Sequence, residues 1–265
     1  MTNIISIQST VLNDLVGNQA ARYVLGSKKY NFYEIPTIIL TSHKAHKNSI
    51  QLNSKNLNPL VVYNYLKKTY PLRSNDLTII GYTPNLLAAK AIQKIIQKQK
   101  KILLDPVMGD VGVGLYINTE VANFFKTIVC EASYISANFF EWSYLNDKNT
   151  TNYTLDDLLK DLKIFSKKNK NTVFVRSVPY KKKLLNILCK GNKAWGIATP
   201  YINFKNRFHG AGDLSTALFA HNIVQKKPLK ETLENVTKEI YSFLQKNNKG
   251  PKNKVNFKAK SLDNL

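Results

Sequence analysis

The sequence predicts an α/β fold in which a central, mostly parallel sheet carries helices on both faces. Three observations lead there. Short apolar runs of strand length alternate with amphipathic helical patterns along nearly the whole chain, the order that builds a sheet covered on both sides. Ser9, Tyr82, Asp105, Ser136 and Arg176 stand at or just after the ends of those runs, so one sheet edge collects them, and open α/β sheets bind ligands at that edge. Gly210-Ala211-Gly212-Asp213 runs directly into small and apolar residues at helical spacing over 214–220.

The elements follow in order. Residues 4–7 read as a buried first strand ending at Gln8-Ser9-Thr10, and Gly17-Asn18 opens a helix through Ala20 and Ala21. Residues 32–40 are a second extended run, followed by a polar loop over 41–47. Pro59 takes the first position of a helix through Val62, Tyr65 and Leu66, where its missing N–H does no harm. Residues 77–80 form the next buried strand, ending at Gly81-Tyr82. Pro84 starts a helix with Leu87, Ala91, Ile92, Ile95 and Ile96 on one face. A strand over 102–104 ends in Asp105-Pro106-Val107-Met108-Gly109, and a short strand over 133–136 precedes Asn138 and a helix carrying Glu141. Thr154 with Asp157 resembles a capping box before a helix reaching residue 167. Residues 172–175 are again a strand, ending at Arg176, and residues 184–189 and 194–199 pair around Gly191-Asn192. A last amphipathic helix starts at Pro228 and lines up Leu229, Leu233, Val236, Ile240, Phe243 and Leu244. Residues 1–247 read as one domain. Residues 248–265, with five lysines against one aspartate, read as a basic tail expected to fray.

Composition bounds the partners. A hydrophobic fraction of 43% supports a full core in 265 residues. No run of 18 apolar residues exists, so no membrane span is expected. The first residues lack the basic region and cleavage site of a signal peptide. Cys130 and Cys189 stand far apart and suggest neither a disulfide framework nor a zinc site, so a reducing cytoplasm is the expected compartment. The four histidines (His43, His46, His209 and His221) lack metal-ligand spacing. The formal charge of +22 is dispersed over almost every segment rather than clustered with aromatics. No specific nucleic-acid site is therefore expected, although the charge favours anionic substrates.

The chemistry concentrates at the strand ends. The first N–H groups of a helix lack internal partners and the helix dipole is positive there, so the glycine turn at 210–212 suits an anion. Asp213 fits two readings at this point: an acid set deliberately beside that anion for catalysis, or an N-capping residue. Asp105, Glu141 and Asp213 are three acids expected at one edge, and magnesium takes oxygen ligands while retaining waters and phosphates. With Arg176 they suggest phosphoryl transfer. Neither a Walker loop nor a dinucleotide glycine fingerprint is present.

These residues resemble the pyridoxal kinases of the ribokinase-like superfamily. The resemblance rests on residues 5–9 (Ile-Ser-Ile-Gln-Ser), Gly17-Asn18, Ala20-Ala21, Gly81-Tyr82, Asp105-Pro106-Val107-Met108-Gly109, Asn138 with Glu141, Ala194-Trp195 and Gly210-Ala211-Gly212-Asp213, in family order. It implies a three-layer α/β/α ribokinase-like kinase domain over residues 1–247. The implied activity is ATP-dependent phosphorylation of the 5′-hydroxymethyl group of pyridoxal, pyridoxine or pyridoxamine, in vitamin B6 salvage. It further implies a cytoplasmic homodimer using Mg²⁺ with ATP and a monovalent cation such as K⁺. Asp213 is implied as the base, with Gly210, Ala211 and Gly212 holding the transferred phosphoryl group. Ser9, His43, Lys44, Ala45, Tyr82 and Asp213 fall at the substrate. Asp105, Ser136, Glu141, Arg176, Thr199, Pro200, Tyr201 and Ile202 fall at the nucleotide, with Asp105 and Glu141 serving the metal through water and phosphate.

The sequence also departs from the family. Thr10 replaces a His, Arg176 replaces a Lys at the nucleotide site, and the polar substrate loop has become Ser42-His43-Lys44-Ala45-His46-Lys47. Ala45 offers the substrate no side-chain hydrogen bond, so weaker substrate binding is expected. Two alternatives stay open: a hydroxymethylpyrimidine-type kinase, which the altered loop favours, and a decayed ribokinase-like protein without activity.

Overall fold

The computed structural model describes residues 2–26, 28, 30–52, 57–204, 208–248, 253 and 255–263. Along these the chain forms β1 (Thr2–Val11), α1 (Asn18–Leu25), β2 (Tyr30–Leu40), β3 (Gln51–Leu52), α2 (Pro59–Thr69), β4 (Leu77–Ile80) and α3 (Leu86–Ile96). It continues through β5 (Lys101–Leu104), β6 (Gly109–Asp110), β7 (Gly114–Leu115), α4 (Thr119–Ile128), β8 (Tyr134–Asn138), α5 (Phe139–Leu145) and α6 (Leu155–Asn169). The remainder is β9 (Thr172–Tyr180), β10 (Lys183–Lys190), β11 (Lys193–Pro200), α7 (Ala211–Val224), α8 (Leu229–Lys246) and β12 (Lys260–Ser261).

The main sheet has the order β12-β11-β10-β9-β8-β5-β4-β1-β2-β3. Its middle, from β9 to β2, is parallel, and antiparallel strands close both edges. The alternation of side chains explains why helices cover both faces. Ile5 and Ile7, Ile102 and Leu104, and Val173 and Val175 enter one core with residues of α2, α3, α4 and α6. Their neighbours Ile4, Leu103 and Phe174 enter a second core with α1, α7 and α8. The chain leaves β1 for β2 on one side and returns to β4 on the other. This reversal opens a crevice beyond the strand ends, where Ser9 and Tyr82 stand.

Three details differ from the sequence reading. Pro84 lies two residues before the helix it was expected to start, because Asn85 caps α3 by accepting from Ala88 N–H at 2.9 Å. Strand β9 does not end at Arg176. Arg176 pairs with Asn138, the last residue of β8, but β10 supplies partners further along, and β9 runs on to Tyr180. There Arg176 and Ser177 lie between the pairs Leu185↔Val178 and Ile187↔Val175, opposite Asn186 alone. This bulge puts Ser177 at φ 57°, its N–H donating to the Asn186 side chain at 3.1 Å. The tail, finally, is not frayed throughout. Residues 249–252, 254, 264 and 265 lie outside the described residues, but β12 pairs with β11 through Trp195↔Ser261 and Gly196↔Lys260. Leu262 N–H donates to Ala194 O, Asp263 accepts from Ala194 N–H at 2.9 Å, and Ala259 and Leu262 are buried. Apolar Ala259 and Leu262 outweigh the surrounding lysines because the edge of β11 offers open hydrogen-bonding groups.

Leu262→Ala should therefore cost about 2–3 kcal/mol of stability in urea denaturation; an unchanged midpoint would mean that the tail contributes nothing to the core.

Candidate active site

A cleft of about 660 Å³ opens at the carboxyl ends of the parallel strands. Sixteen of the seventeen residues expected at a site line it: Ser9, His43, Lys44, Ala45, Tyr82, Asp105, Glu141, Arg176, Thr199, Pro200, Tyr201, Ile202, Gly210, Ala211, Gly212 and Asp213. Ser136 does not. It is fully buried, and its hydroxyl shares a 2.9 Å hydrogen bond with Thr216 Oγ1. Ser136 therefore supports the floor, because β8 points it toward α7 rather than into the opening.

The glycine turn meets the end of β1. Gly210 caps α7 with φ 92°, and a Cβ there would run into the carbonyl of Leu15. Gly17, at φ 54°, packs its Cα against Ser9, so a Cβ would strike the Ser9 carbonyl. These two close approaches bring the β1–α1 loop against the first turn of α7. Asp213 is the third residue of α7 rather than its cap. Its carboxylate lies near the backbone N–H groups of Gly17 and of Asp213 itself, both of which favour the ionised form. Burial, with the nearby Asp105 charge, pushes its pKa up to about 7, against the opposing pull of those N–H groups and Arg176. An acid that titrates near neutrality at a helix N-terminus can take a proton from a hydroxyl and give it up again.

Beneath the turn lies a buried ionic cluster. Arg176 Nη2 donates to Asp105 Oδ1 at 2.9 Å and to Ser136 O at 3.3 Å, and lies 3.6 Å from Glu141 Oε2. Its Nη1 donates to Gly212 O and, at 3.4 Å, to Thr216 Oγ1. Thr216 in turn donates to Asp105 Oδ2 at 2.5 Å. Arg176 was expected at the nucleotide; here its guanidinium is turned inward onto the acids. Glu141 has a second task. It is the third residue of α5 and closes a capping box with Asn138, accepting Asn138 N–H at 2.7 Å while Asn138 Oδ1 accepts Glu141 N–H at 2.8 Å. Burial and the Asp105 charge raise its pKa well above the ordinary carboxylate value, opposed by Arg176 and the Asn138 N–H. Thr154 and Asp157, the pair that resembled such a box, make only half of one: Thr154 Oγ1 accepts Asp157 N–H, but Asp157 takes the Thr154 hydroxyl. Among the described residues no group of three His, Cys, Asp or Glu side chains forms a metal cage. Asp105 and Glu141 both face the cleft, an arrangement that suits an ion held mainly by waters and phosphates.

At the opposite wall, Lys44 Nζ donates to the Tyr82 hydroxyl at 3.2 Å and sits 5.7 Å above its ring. His43 N–H donates to Asp14 Oδ2 at 2.6 Å, and the His43 ring stacks on His209 at 4.0 Å. The loop over 42–47 is thus tied to both halves of the chain across the cleft. Sequence reasoning missed Thr216, whose place within α7 looks purely structural, and the role of Asn18. Buried Asn18 Oδ1 accepts from Ser6 Oγ at 2.7 Å, and its Nδ2 donates to Gln8 O and Thr10 Oγ1, both at 3.0 Å. Asn18 thereby locks the backbone that carries Ser9. The signal was the polar pair Ser6 and Gln8 inside an otherwise apolar strand.

The phosphomethylpyrimidine kinase family matches residues 37–256, and the chain belongs to that family. Its architecture is the three-layer ribokinase-like fold. A pyridoxal kinase of Corynebacterium diphtheriae is 24% identical over 257 residues, covering 92% of this chain and 88% of its own. The pyridoxal kinase of Entamoeba histolytica superposes with a TM-score of 0.82 at 20% identity, covering 97% of this chain and 93% of that one. A Plasmodium falciparum PdxK structure with the ligands AMP-PNP and PL gives a TM-score of 0.80 at 23% identity, covering 94% and 90%.

Gly210→Ala should destabilise the protein by about 1–3 kcal/mol, because alanine is strained at this φ and the Leu15 carbonyl blocks relaxation. Urea denaturation at pH 7 reads this, and a wild-type midpoint would show that the turn tolerates a side chain.

Proposed function

We propose that this protein transfers the γ-phosphoryl group of ATP to the 5′-hydroxymethyl group of pyridoxal, and of pyridoxine or pyridoxamine, as a step of vitamin B6 salvage. The observation that carries the reading is Asp213, a half-buried carboxylate whose desolvation raises its pKa to about 7, set in the first turn of α7 behind the Gly210–Gly212 amides. The full-length similarity to pyridoxal kinases supports it. The vitamin lies between Ser9, Tyr82 and the 43–45 loop, with its hydroxymethyl group toward Asp213. Asp213 accepts the hydroxyl proton as the oxygen attacks the γ-phosphorus, and the bond from that phosphorus to the β–γ bridging oxygen breaks, releasing ADP. The amides of Gly210, Ala211 and Gly212 stabilise charge developing on the transferred group. The nucleotide lies along residues 199–202 at the end of β11. Asp105 and Glu141 would hold a Mg²⁺ ion through water and the phosphates, and the ion would supply neutralisation of the phosphate charge. A homodimer in the cytoplasm, without a specific nucleic-acid partner, completes the reading. No described helix is long and apolar enough to cross a membrane.

A second reading, phosphorylation of a hydroxymethylpyrimidine, draws on the family match. An ATP-coupled assay across B6 vitamers and hydroxymethylpyrimidine separates the two. Preference for the pyrimidine over every vitamer selects the second.

Asp213 sets the pH dependence. Its ionised form is the active base, so kcat/KM should rise about tenfold per unit below pH 7 and level off above it. Stability moves the opposite way. The folded pKa of about 7 exceeds the unfolded value of about 4, so between these values the native state holds a proton that the unfolded chain has lost, and stability falls as pH rises through that window. Asp213→Asn should lower kcat by about 10²–10⁴-fold and flatten that decline in stability, as followed by thermal melting from pH 5 to 8. A variant that keeps most of its turnover would remove Asp213 from the base role.

The altered loop governs affinity. Ala45→Gln restores one neutral hydrogen bond to the substrate, worth about 0.5–1.5 kcal/mol, so KM for pyridoxal should fall roughly 2- to 13-fold with kcat little changed. An unchanged KM would place residue 45 away from the vitamin.

A further inference from the structure

The guanidinium of Arg176 occupies a cage made only of oxygens. Asp105 Oδ1 and Ser136 O accept from Nη2, Glu141 Oε2 lies 3.6 Å from it, and Gly212 O and Thr216 Oγ1 accept from Nη1. These oxygens come from the ends of β5 and β8, the capped start of α5 and the first turns of α7. Two carboxylates, two carbonyls and a hydroxyl form a donor set suited to a hard cation. The Arg176 side chain is only 7% exposed, so its charge is held by protein oxygens rather than water. The fit is tight on the α7 side, where a Cβ on Gly212 would lie 3.0 Å from Nη1. It is loose elsewhere, since Nε is buried with no hydrogen-bond partner. A fork of five donors in a cage that engages only its two terminal nitrogens is held there by charge more than by hydrogen-bond matching.

This bears on the monovalent cation that the family resemblance implies. An alkali ion bound to these oxygens would have to displace the guanidinium or share its acceptors with a like charge, so the cage does not fit both. We infer that Arg176 is a built-in cation that takes the place of an alkali-metal ion and fixes the first turn of α7 through Gly212 O. Where it concerns turnover, the inference rests on the kinase activity proposed above. Where it concerns stability, it does not.

The test therefore has two readouts on the full chain: thermal melting without substrates, and ATP-coupled turnover. Both are measured in KCl, NaCl and choline chloride at equal ionic strength. The wild-type melting temperature should differ by less than about 1 °C among the three salts, because no cation adds binding energy to the native state. Wild-type kcat should stay within about twofold, whereas removing a single positioned electrostatic contact costs about 10²–10³-fold. Arg176→Ala leaves the acids unpaired, which is strongly destabilising, and should lower both melting temperature and turnover. Both should recover in part with KCl, or with guanidinium chloride at about 10 mM, far below its denaturing range, but not with choline chloride. A wild-type melting temperature raised by K⁺ over choline would overturn the inference, as would an Arg176→Ala protein that is undamaged or is rescued by neither cation. If that variant does not fold, the wild-type salt series alone decides. A wild type that phosphorylates none of the vitamers refutes the kinase reading while leaving the melting comparison intact.

Discussion

The buried pair of Arg176 and Asp105 holds the floor of the cleft together. Asp105 directly follows β5, Arg176 sits on a bulge of β9, two strands away with β8 between them, and the same guanidinium reaches the carbonyl of Gly212 on α7. Separated, either charge would be stranded out of water, which costs several kcal/mol per ion. The sheet and the glycine turn are therefore locked in one relation. The bulge matters because it lets β9 pass from its parallel partner β8 to its antiparallel partner β10 with the Arg176 side chain still facing α7.

That ionic floor explains the electrostatics above it. Among the described residues Asp105, Glu141 and Asp213 share the charge of the Arg176 guanidinium, which balances theirs only in part. The balance is uneven by design of the contacts. Asp105 takes Arg176 on one oxygen and the Thr216 hydroxyl on the other, and stays the best-served acid. Asp213 is desolvated beside the Asp105 charge, which the Gly17 N–H and Arg176 offset only in part, so its proton is held to about pH 7. Glu141 spends one oxygen on the Asn138 capping box, so a group that faces the cleft also keeps the start of α5 in place.

The two walls are built differently. On the wall proposed for the nucleotide the backbone of β11 leads straight out of the sheet, stiffened by the β12 pairing one residue beyond Ala194. On the wall proposed for the vitamin lies a polar loop anchored by Asp14 and His209 and by the contact of Lys44 with Tyr82. A rigid strand suits a ligand common to many kinases. A loop tied by a few side chains is where one kinase is set apart from another.

What the sequence determined by itself was local or periodic. Alternating strand and helix patterns specified the layered sheet, because side-chain period decides which residues a strand or helix can bury. The glycine turn before α7 was legible because only glycine takes φ 92° against the Leu15 carbonyl. The gathering of Ser9, Tyr82, Asp105 and Asp213 in one cleft followed from strand ends and from the helix that opens at the glycine turn. Only the tertiary structure decided what depends on partners distant in the chain. Arg176 turns to acids 71 and 35 positions away, Thr216 donates to Asp105, and Ser136 drops below the floor. The basic tail orders where two apolar residues meet an open strand edge. In each case the side chain's local pattern permits several fates, and the choice falls to whichever buried charge or unpaired backbone group the folded chain brings within reach.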